Sequence, residues 1–256
     1  MGACGTGGGL PSGTAAGELA ACWQRCPQPR FVRMFGLWLV LSFLSNHTAM
    51  HHEALTKKAA KLFPKLCEFA GFYLAGGTAL ALQIGHRVSV DFDLFTPAPI
   101  SSSLLRNVKN VFSDDAVRVS VNNRDELTVS IAGVKCTFLH YPYAIKRKTV
   151  AYRGVPLLAV SDIAVTKAYT IGRRGDFKDY LDLYCILKEK RAALGSVMRR
   201  AARVYGDDFN DRLFLEQLVY LDDVSETSVV FLKRAVTKAE LSRFFEDAVK
   251  KQRVRL

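Results

Sequence analysis

Two carboxylates separated by one residue, Asp91 and Asp93, are the groups of this chain best suited to chemistry. They lie in residues 88–95, where polar and apolar residues alternate. This period of two predicts a strand with both carboxylates on one face and Phe92 and Leu94 in the core. Adjacent carboxylates repel each other unless a divalent cation lies between them, and such oxygen ligands suit Mg²⁺ bound to substrate phosphates. Because an isolated Asp-x-Asp is more often a solvated strand end, the pair needs support from its surroundings.

A glycine turn upstream supplies that support. Residues 73–75 predict a short apolar strand, and the buried helix that follows should end near Gly85. Between them lies the turn of Gly76, Gly77 and Thr78. Glycines let the backbone pass close to a ligand, and the free N–H groups of a helix N-terminus favour an anion. The sequence therefore predicts a phosphate-binding turn near the carboxylate pair.

The glycine turn and the carboxylate pair together resemble the phosphate turn and metal pair of the polymerase-beta-like nucleotidyltransferase superfold. The residues that carry this resemblance are Gly76, Gly77, Thr78, Arg87, Ser89, Asp91 and Asp93. Within the superfold, the chain is most similar to the AbiEii/AbiGii toxin family of abortive-infection and toxin–antitoxin systems. The resemblance implies that the first five of these residues bind an NTP as substrate. It also implies that the two aspartates are catalytic and hold Mg²⁺ or Mn²⁺.

The resemblance extends to a second stretch, residues 157–187. Two helices are predicted there, the first capped by Ser161 and the second starting near Asp176. A lysine and two aspartates on the second helix form a charged cluster, which by itself would be an ordinary surface pattern. The stretch matches the third and fourth motifs of the family. The match implies two sets of site residues: Lys167 and Asp182 as catalytic groups, and Arg174, Lys178 and Asp179 as nucleotide-binding groups.

The predicted position of Lys167 gives an expectation for mutation. Its ammonium should lie on the cleft face of the first helix, together with Thr170 and Arg174, and contact the triphosphate rather than the core. The sequence therefore predicts that Lys167→Ala impairs nucleotide binding and transfer but spares stability.

A third carboxylate is missing where the superfold usually has one. Polymerase-beta-like enzymes usually carry it on the strand after the metal pair, and residues 134–139 contain none. Asp125 and Glu126 are the nearby candidates. The gap leaves a second interpretation open, in which the chain is a nucleotide- or RNA-binding module that has lost the chemistry.

Composition and charge indicate which binding partners and which cellular compartment to expect. Of the 256 residues, 49% are hydrophobic and 23% are charged, as in ordinary globular proteins. The net charge of +12 favours an anionic partner, which could be RNA as well as NTP. The six cysteines are scattered without zinc-site spacing, which predicts reduced thiols and a cytoplasmic protein. The apolar residues 35–44 are too few for a membrane span, so no membrane partner is expected.

Three regions are predicted along the chain, with an α/β (α+β) fold class. Residues 1–49 are rich in Gly, Ala and Ser and lack periodicity, which predicts a disordered or mis-started extension before Met50. An alternative is that its basic and apolar residues form a signal peptide. Residues 50–155 should form the nucleotidyltransferase core with a mixed sheet. Residues 156–256 should form a helical domain that completes the active-site cleft.

The function that the resemblance implies is transfer of NMP from an NTP to an acceptor. In the family the acceptor can be tRNA, and the enzyme is the toxin of a toxin–antitoxin or abortive-infection system, so a cognate antitoxin protein is an expected partner. Two alternatives remain open from the sequence: the non-catalytic binding module, and a toxin that acts by sequestering a partner.

Overall fold

A seven-stranded mixed sheet forms the centre of the computed structural model, which describes residues 50–145 and 148–253. The strands are β1 (Tyr73–Ala75), β2 (Phe92–Thr96), β3 (Val117–Asn122), β4 (Glu126–Ile131), β5 (Val134–His140), β6 (Thr149–Tyr152) and β7 (Val155–Leu158). Their order is β3-β4-β5-β2-β1-β7-β6. The pairs β2–β5 and β1–β7 are parallel, and the other neighbours are antiparallel. The predicted mixed sheet is confirmed.

Helices pack around this sheet and dominate the C-terminal part of the described chain. The α-helices are α1 (Lys57–Leu62), α2 (Gly76–Ile84), α3 (Leu104–Val111), α4 (Val160–Ile171), α5 (Phe177–Lys188), α6 (Leu194–Tyr205), α7 (Asp211–Val219) and α8 (Lys238–Arg253). Short 3₁₀ segments lie at His52–Ala54, Phe63–Glu68 and Gly206–Asp208. Helices α4–α8 all follow β7, which confirms the predicted C-terminal helical region.

One hydrophobic core runs through the sheet and these helices, with buried members from Leu55 to Val249. Strand β7 continues to Leu158, past the predicted end of the core region at residue 155. The division into a sheet domain and a helical domain stays a prediction.

The strand and helix around the glycine turn form as predicted. All three residues of β1 are buried, and α2 begins directly at Gly76 without a separate loop. From Thr78 onward every residue of α2 is buried, because its apolar side chains face neighbours on all sides. The helix ends at Gly85, whose φ of 60° is left-handed and whose N–H donates to the carbonyl oxygen of Ala81.

The strand predicted over residues 88–95 forms only in part. β2 begins at Phe92, and both Phe92 and Leu94 are buried as predicted. The residues before it pair with two other segments, through hydrogen bonds from Val88 N–H to Val230 O (2.8 Å) and from Ser89 N–H to Ala54 O (2.8 Å). Asp91 lies just ahead of β2 rather than within it.

The predicted cap of the first helix in the second stretch is wrong, whereas the predicted start of the second helix agrees with the structure. Ser161 does not cap the first helix of the second stretch, because α4 already begins at Val160 with Ala159 as its N-cap. Asp176 caps α5, since its side chain accepts a hydrogen bond from Lys178 N–H at 2.9 Å.

The prediction for residues 1–49 lies outside the described residues. Among the helices of residues 50–145 and 148–253, none combines the length and the apolar character needed to cross a membrane.

Candidate active site

A cavity of about 330 Å³ lies beside the first turn of α2, where β2 begins. Asp91 and Asp93 both line it, and each is half-buried. The cationic side chains that line it are Arg87, Lys135, Lys167, Arg174 and Lys178. Its volume is typical of small-molecule sites. A carboxylate pair among so many cations suits a phosphate ligand accompanied by a divalent cation.

Most of the residues predicted for the site meet at this cavity. Those in its lining are Gly77, Arg87, Ser89, Asp91, Asp93, Lys167, Arg174, Lys178 and Asp179. Gly76 lies against Asp93, whereas Thr78 and Asp182 lie behind the lining. The individual roles of these residues stay predictions.

The two glycines at the start of α2 make room for charged side chains of the site. Gly76 has a φ of +64°, and a Cβ at this position would collide with the carboxylate of Asp93. A Cβ at Gly77 would collide with the guanidinium of Arg87. The glycines therefore leave room for the side chains packed over them, in addition to any ligand that approaches the helix N-terminus.

Asp93 carries a charge that its surroundings disfavour. Burial raises the pKa of Asp93 above its ordinary value of 3.8; the charge of Lys167 lowers this pKa, and the charge of Asp91 raises it. A cation bound between the two carboxylates would offset both the burial and the repulsion.

Thr78 is buried next to the carboxylate pair and holds the backbone of Asp91 in place. It is only 2% exposed, and its hydroxyl donates to the backbone carbonyl of Asp91 and lies 2.8 Å from the hydroxyl of Ser89. Ser89 in turn reaches the cavity surface. Thr78 thus holds the two residues that face the ligand, and the predicted direct phosphate contact has no support from its position.

Asp182 is completely buried at the centre of an ion-pair network. It accepts hydrogen bonds from Arg87 Nε (2.7 Å) and Nη2 (3.0 Å) and from His86 Nε2 (2.7 Å), and Lys167 Nζ lies 2.5 Å away. Burial alone would raise the pKa of Asp182, but Lys167, Arg87 and His86 outweigh it and hold this pKa well below 3.8. His86 is a residue that the sequence analysis missed, because its contact with α5 leaves no local pattern.

A second buried carboxylate, Asp179, extends the network to the cavity. It accepts from Lys167 Nζ (2.7 Å) and from Arg174 Nε (2.8 Å). Burial lowers the pKa of Lys167, but the charges of Asp182 and Asp179 raise it above 10.5, so the buried ammonium stays charged. Since Lys167 pairs with two buried carboxylates, its replacement by Ala should cost stability as well as binding. The sequence-based expectation that Lys167→Ala spares stability is therefore revised.

Two lysines of the cavity lining, Lys135 and Lys178, make no ion pair with any described residue. The other three cations of the lining are each neutralised by Asp179 or Asp182. The unpaired lysines are consequently the cations available to a negatively charged ligand.

In the described part of the sheet, the strand position beside Asp93 carries no carboxylate. The parallel pairing of β2 with β5 sets Thr137 opposite Asp93, and Lys135 lies two residues earlier on the same face. Asp125 and Glu126 do not line the cavity. Nor do the described residues bring together three His, Cys, Asp or Glu side chains suited to a metal ion. The sequence analysis missed Lys135, because its position depends on this parallel pairing.

We predict that Gly76→Ala lowers any activity of the site by on the order of 10- to 100-fold, because the new methyl group displaces the Asp93 carboxylate. The matched control is Gly71→Ala, at a φ of +86° with no other atom within 4 Å of the added Cβ. Both variants carry the cost of a left-handed Ala, about 1–2 kcal/mol, but only one disturbs the carboxylate. Nucleotide transfer and melting temperature should be measured for both. Equal activities would show that the position of Asp93 does not matter.

Comparison with known proteins identifies the family to which the chain belongs. A family model described as Nucleotidyl transferase AbiEii toxin, Type IV TA system, matches residues 63–151. An uncharacterised protein of Aquifex aeolicus (strain VF5) is 32% identical over 185 residues, which are 70% of this chain and 86% of that protein. The chain belongs to the AbiEii nucleotidyltransferase toxin family, as its motifs predicted.

Solved structures of similar proteins include MenT4, the nucleotidyltransferase toxin Rv2826c from Mycobacterium tuberculosis H37Rv. It is 19% identical, with a TM-score of 0.49, and the match covers 85% of this chain and 88% of that one. JHP933 from Helicobacter pylori is 16% identical, with a TM-score of 0.46, and the match covers 78% of this chain and 96% of that one.

Proposed function

We propose that this protein transfers NMP from an NTP to RNA, with tRNA as the class of acceptor that the family resemblance suggests. The observation that carries the proposal is the joint lining of one cavity by Asp91, Asp93 and the unpaired lysines Lys135 and Lys178. A carboxylate pair can hold a divalent cation, and the cations can hold the phosphates of an NTP.

The carboxylate pair fits Mg²⁺ or Mn²⁺ in its chemistry. Asp91 and Asp93 would hold the ion, since both offer hard oxygen ligands and burial raises the pKa of Asp93 despite the nearby cations. When bound, such an ion neutralises charge on phosphate oxygens. The protein would supply two carboxylates as ligands of one ion, and the remaining ligands would come from the substrate or from water.

The protein's own cations would hold the β- and γ-phosphates. Lys135 and Lys178 form no ion pair with a described residue, and Lys167 reaches the same cavity while fixed by Asp179 and Asp182. Fixed positive charges of this kind stabilise negative charge that develops on a leaving group. Lys167 would therefore bind through an ammonium whose position the buried aspartates determine.

In the proposed reaction, a hydroxyl oxygen of the acceptor forms a bond to the α-phosphorus. The bond from that phosphorus to the α–β bridging oxygen breaks, and pyrophosphate leaves with the electron pair. The hydroxyl proton passes to water. The attacking and leaving oxygens lie roughly in line through the phosphorus.

The test is incubation of the purified protein with each of the four NTPs, labelled at the α-phosphate, with Mg²⁺ or Mn²⁺ and total RNA. We expect RNA to become labelled with at least one NTP. Labelled protein, or no labelled macromolecule with any NTP, would contradict RNA as the acceptor.

A second candidate function is a nucleotide- or RNA-binding module without chemistry. The observation that favours it is that residues 134–139, on the strand that pairs with β2, contain no carboxylate, although the superfold usually has one on this strand. This candidate predicts tight NTP binding without release of pyrophosphate. Pyrophosphate release in the presence of RNA would rule it out.

We also propose that the protein acts as the toxin of a toxin–antitoxin pair in the cytoplasm, where NTPs and tRNA are found. Inducible expression should slow growth, and co-expression of the cognate antitoxin should restore it. If toxicity depends on transfer, Asp91→Asn should remove it. Undiminished toxicity of Asp91→Asn would instead favour sequestration of a partner.

A further inference from the structure

A second cavity of about 290 Å³ lies directly beside the first. Five residues line both cavities and separate them, namely Gly77, Asp93, Lys167, Arg174 and Asp179. The volume is close to the lower end of the roughly 300–1,000 Å³ of small-molecule sites. One of the two proposed metal ligands thus faces both cavities.

The two cavities differ in chemistry. The first is lined by carboxylates, cations and small residues, and no aromatic side chain of the described residues faces it. The second is lined by the rings of Phe95, Tyr141 and Tyr169 and by Arg173. A cation-rich cavity suits phosphates, whereas aromatic and guanidinium planes suit a nucleobase.

Arg173 presents a preformed flat surface to this second cavity. Its guanidinium carbon lies 3.6 Å from the centroid of the Tyr169 ring, which stacks on Tyr205 with centroids 3.9 Å apart. Arg173 Nη2 also donates to the backbone carbonyl of Asp208 at 2.9 Å. The side chain is exposed, and no ion pair ties it to a described carboxylate. The stack of Tyr205 and Tyr169 therefore ends in the exposed guanidinium of Arg173, which lines the second cavity.

The geometry of phosphoryl transfer decides which part of the reaction the second cavity serves. The attacking oxygen must approach from the side opposite the leaving pyrophosphate. The unpaired lysines Lys135 and Lys178, which suit the pyrophosphate, line the first cavity alone, whereas Asp93 lines both cavities. We infer that the second cavity receives the unpaired 3′-terminal nucleoside of the acceptor RNA, with its base stacked on Arg173. The inference rests on the proposed transfer to RNA, and the 3′ end is chosen because it carries a free hydroxyl.

The protein arm of the test uses fluorescence anisotropy with a short 5′-fluorescein-labelled single-stranded RNA. We expect Arg173→Ala to weaken RNA binding by on the order of 10-fold. Arg173→Lys should be almost as weak, because lysine keeps the charge but lacks the plane. The control Arg199→Ala removes an exposed arginine that lines neither cavity and should change little. Full binding by Arg173→Lys, or weaker NTP binding by Arg173→Ala, would overturn the inference.

The RNA arm asks whether Arg173 recognises the terminal base itself. The same RNA with an abasic 3′ nucleotide should bind the native protein as weakly as the intact RNA binds Arg173→Ala. Combining the two changes should add little further loss, since both remove the same contact. Fully additive losses, or an abasic RNA that binds as tightly as the intact one, would overturn the inference.

These binding measurements are separable from the proposed function. If terminal-base recognition by Arg173 is found but no NTP labels RNA, the transfer proposal fails and the binding site stands. If RNA is labelled and Arg173→Ala leaves RNA affinity and the KM for RNA unchanged, the transfer proposal stands and this inference fails.

Discussion

Asp93→Asn should lower nucleotide transfer by at least on the order of 10²–10³-fold, because the variant keeps the size of the side chain but removes a charge needed to hold the metal ion. Asp91→Asn should have a similar effect, since both side chains line the same cavity. The matched control is Asp125→Asn, an exposed carboxylate outside the cavity. Its activity should equal that of the native protein.

Asp93→Asn should leave the protein folded and at least as stable as the native protein. Folding raises the pKa of Asp93 above 3.8, so the folded state favours the protonated carboxyl. The ionised carboxylate therefore costs stability once the pH rises above that value, and the cost persists at neutral pH. Asparagine removes it, so the melting temperature of Asp93→Asn without metal should not fall. A large loss of stability would contradict this account of the Asp93 environment, and full transfer activity would contradict its role.

Asp182→Ala should lower the free energy of unfolding by about 3–5 kcal/mol, the usual cost of removing one partner of a buried ion pair. The substitution leaves Arg87 and Lys167 buried without the carboxylate that both contact. The control is Glu216→Ala, which removes the exposed partner of Arg212 and should cost no more than about 1 kcal/mol. Urea unfolding at neutral pH measures both. Equal losses would show that the buried network does not support the fold.

The effect of Asp182→Ala should depend on pH in a defined direction. The folded-state pKa of Asp182 lies well below 3.8, so its contribution to stability is fully present above that pH. It is lost as the pH falls further, through the folded-state pKa. The difference in unfolding free energy between native protein and variant should thus be constant from about pH 7 to 8, where His86 is neutral in both proteins because its pKa lies below 6.5. It should shrink in strong acid, well below pH 3.8, and a difference that grew there would have the wrong sign.

The sequence alone could predict the elements whose signals are local. The short strand and helix around Gly76 follow from a buried apolar run with glycines at both ends of the helix, and Gly85 does cap α2. The alternation that predicted a strand over residues 88–95 correctly assigned Phe92 and Leu94 to the core. It could not show that residues before β2 pair with other segments, because those bonds connect distant parts of the chain.

For a similar reason, the sequence could not show which side chains surround Lys167. A period of 3.6 residues gives the face of a helix, but not what that face meets. Lys167 reaches the cavity and also lies 2.5 Å from a fully buried Asp182 on the next helix. Binding and stability are therefore coupled at this residue. Arg173 is a second case, because its stacking depends on Tyr169 and on Tyr205 from a third helix.

The most direct test of nucleotidyl transfer compares two positions of the label in the same NTP. Native protein, RNA and Mg²⁺ are incubated with NTP labelled either at the α-phosphate or at the γ-phosphate. The account predicts labelled RNA only from the α-labelled NTP, release of the γ label as pyrophosphate, and neither product with Asp93→Asn. Transfer of the γ label to RNA, or α-labelling that persists in Asp93→Asn, would contradict it.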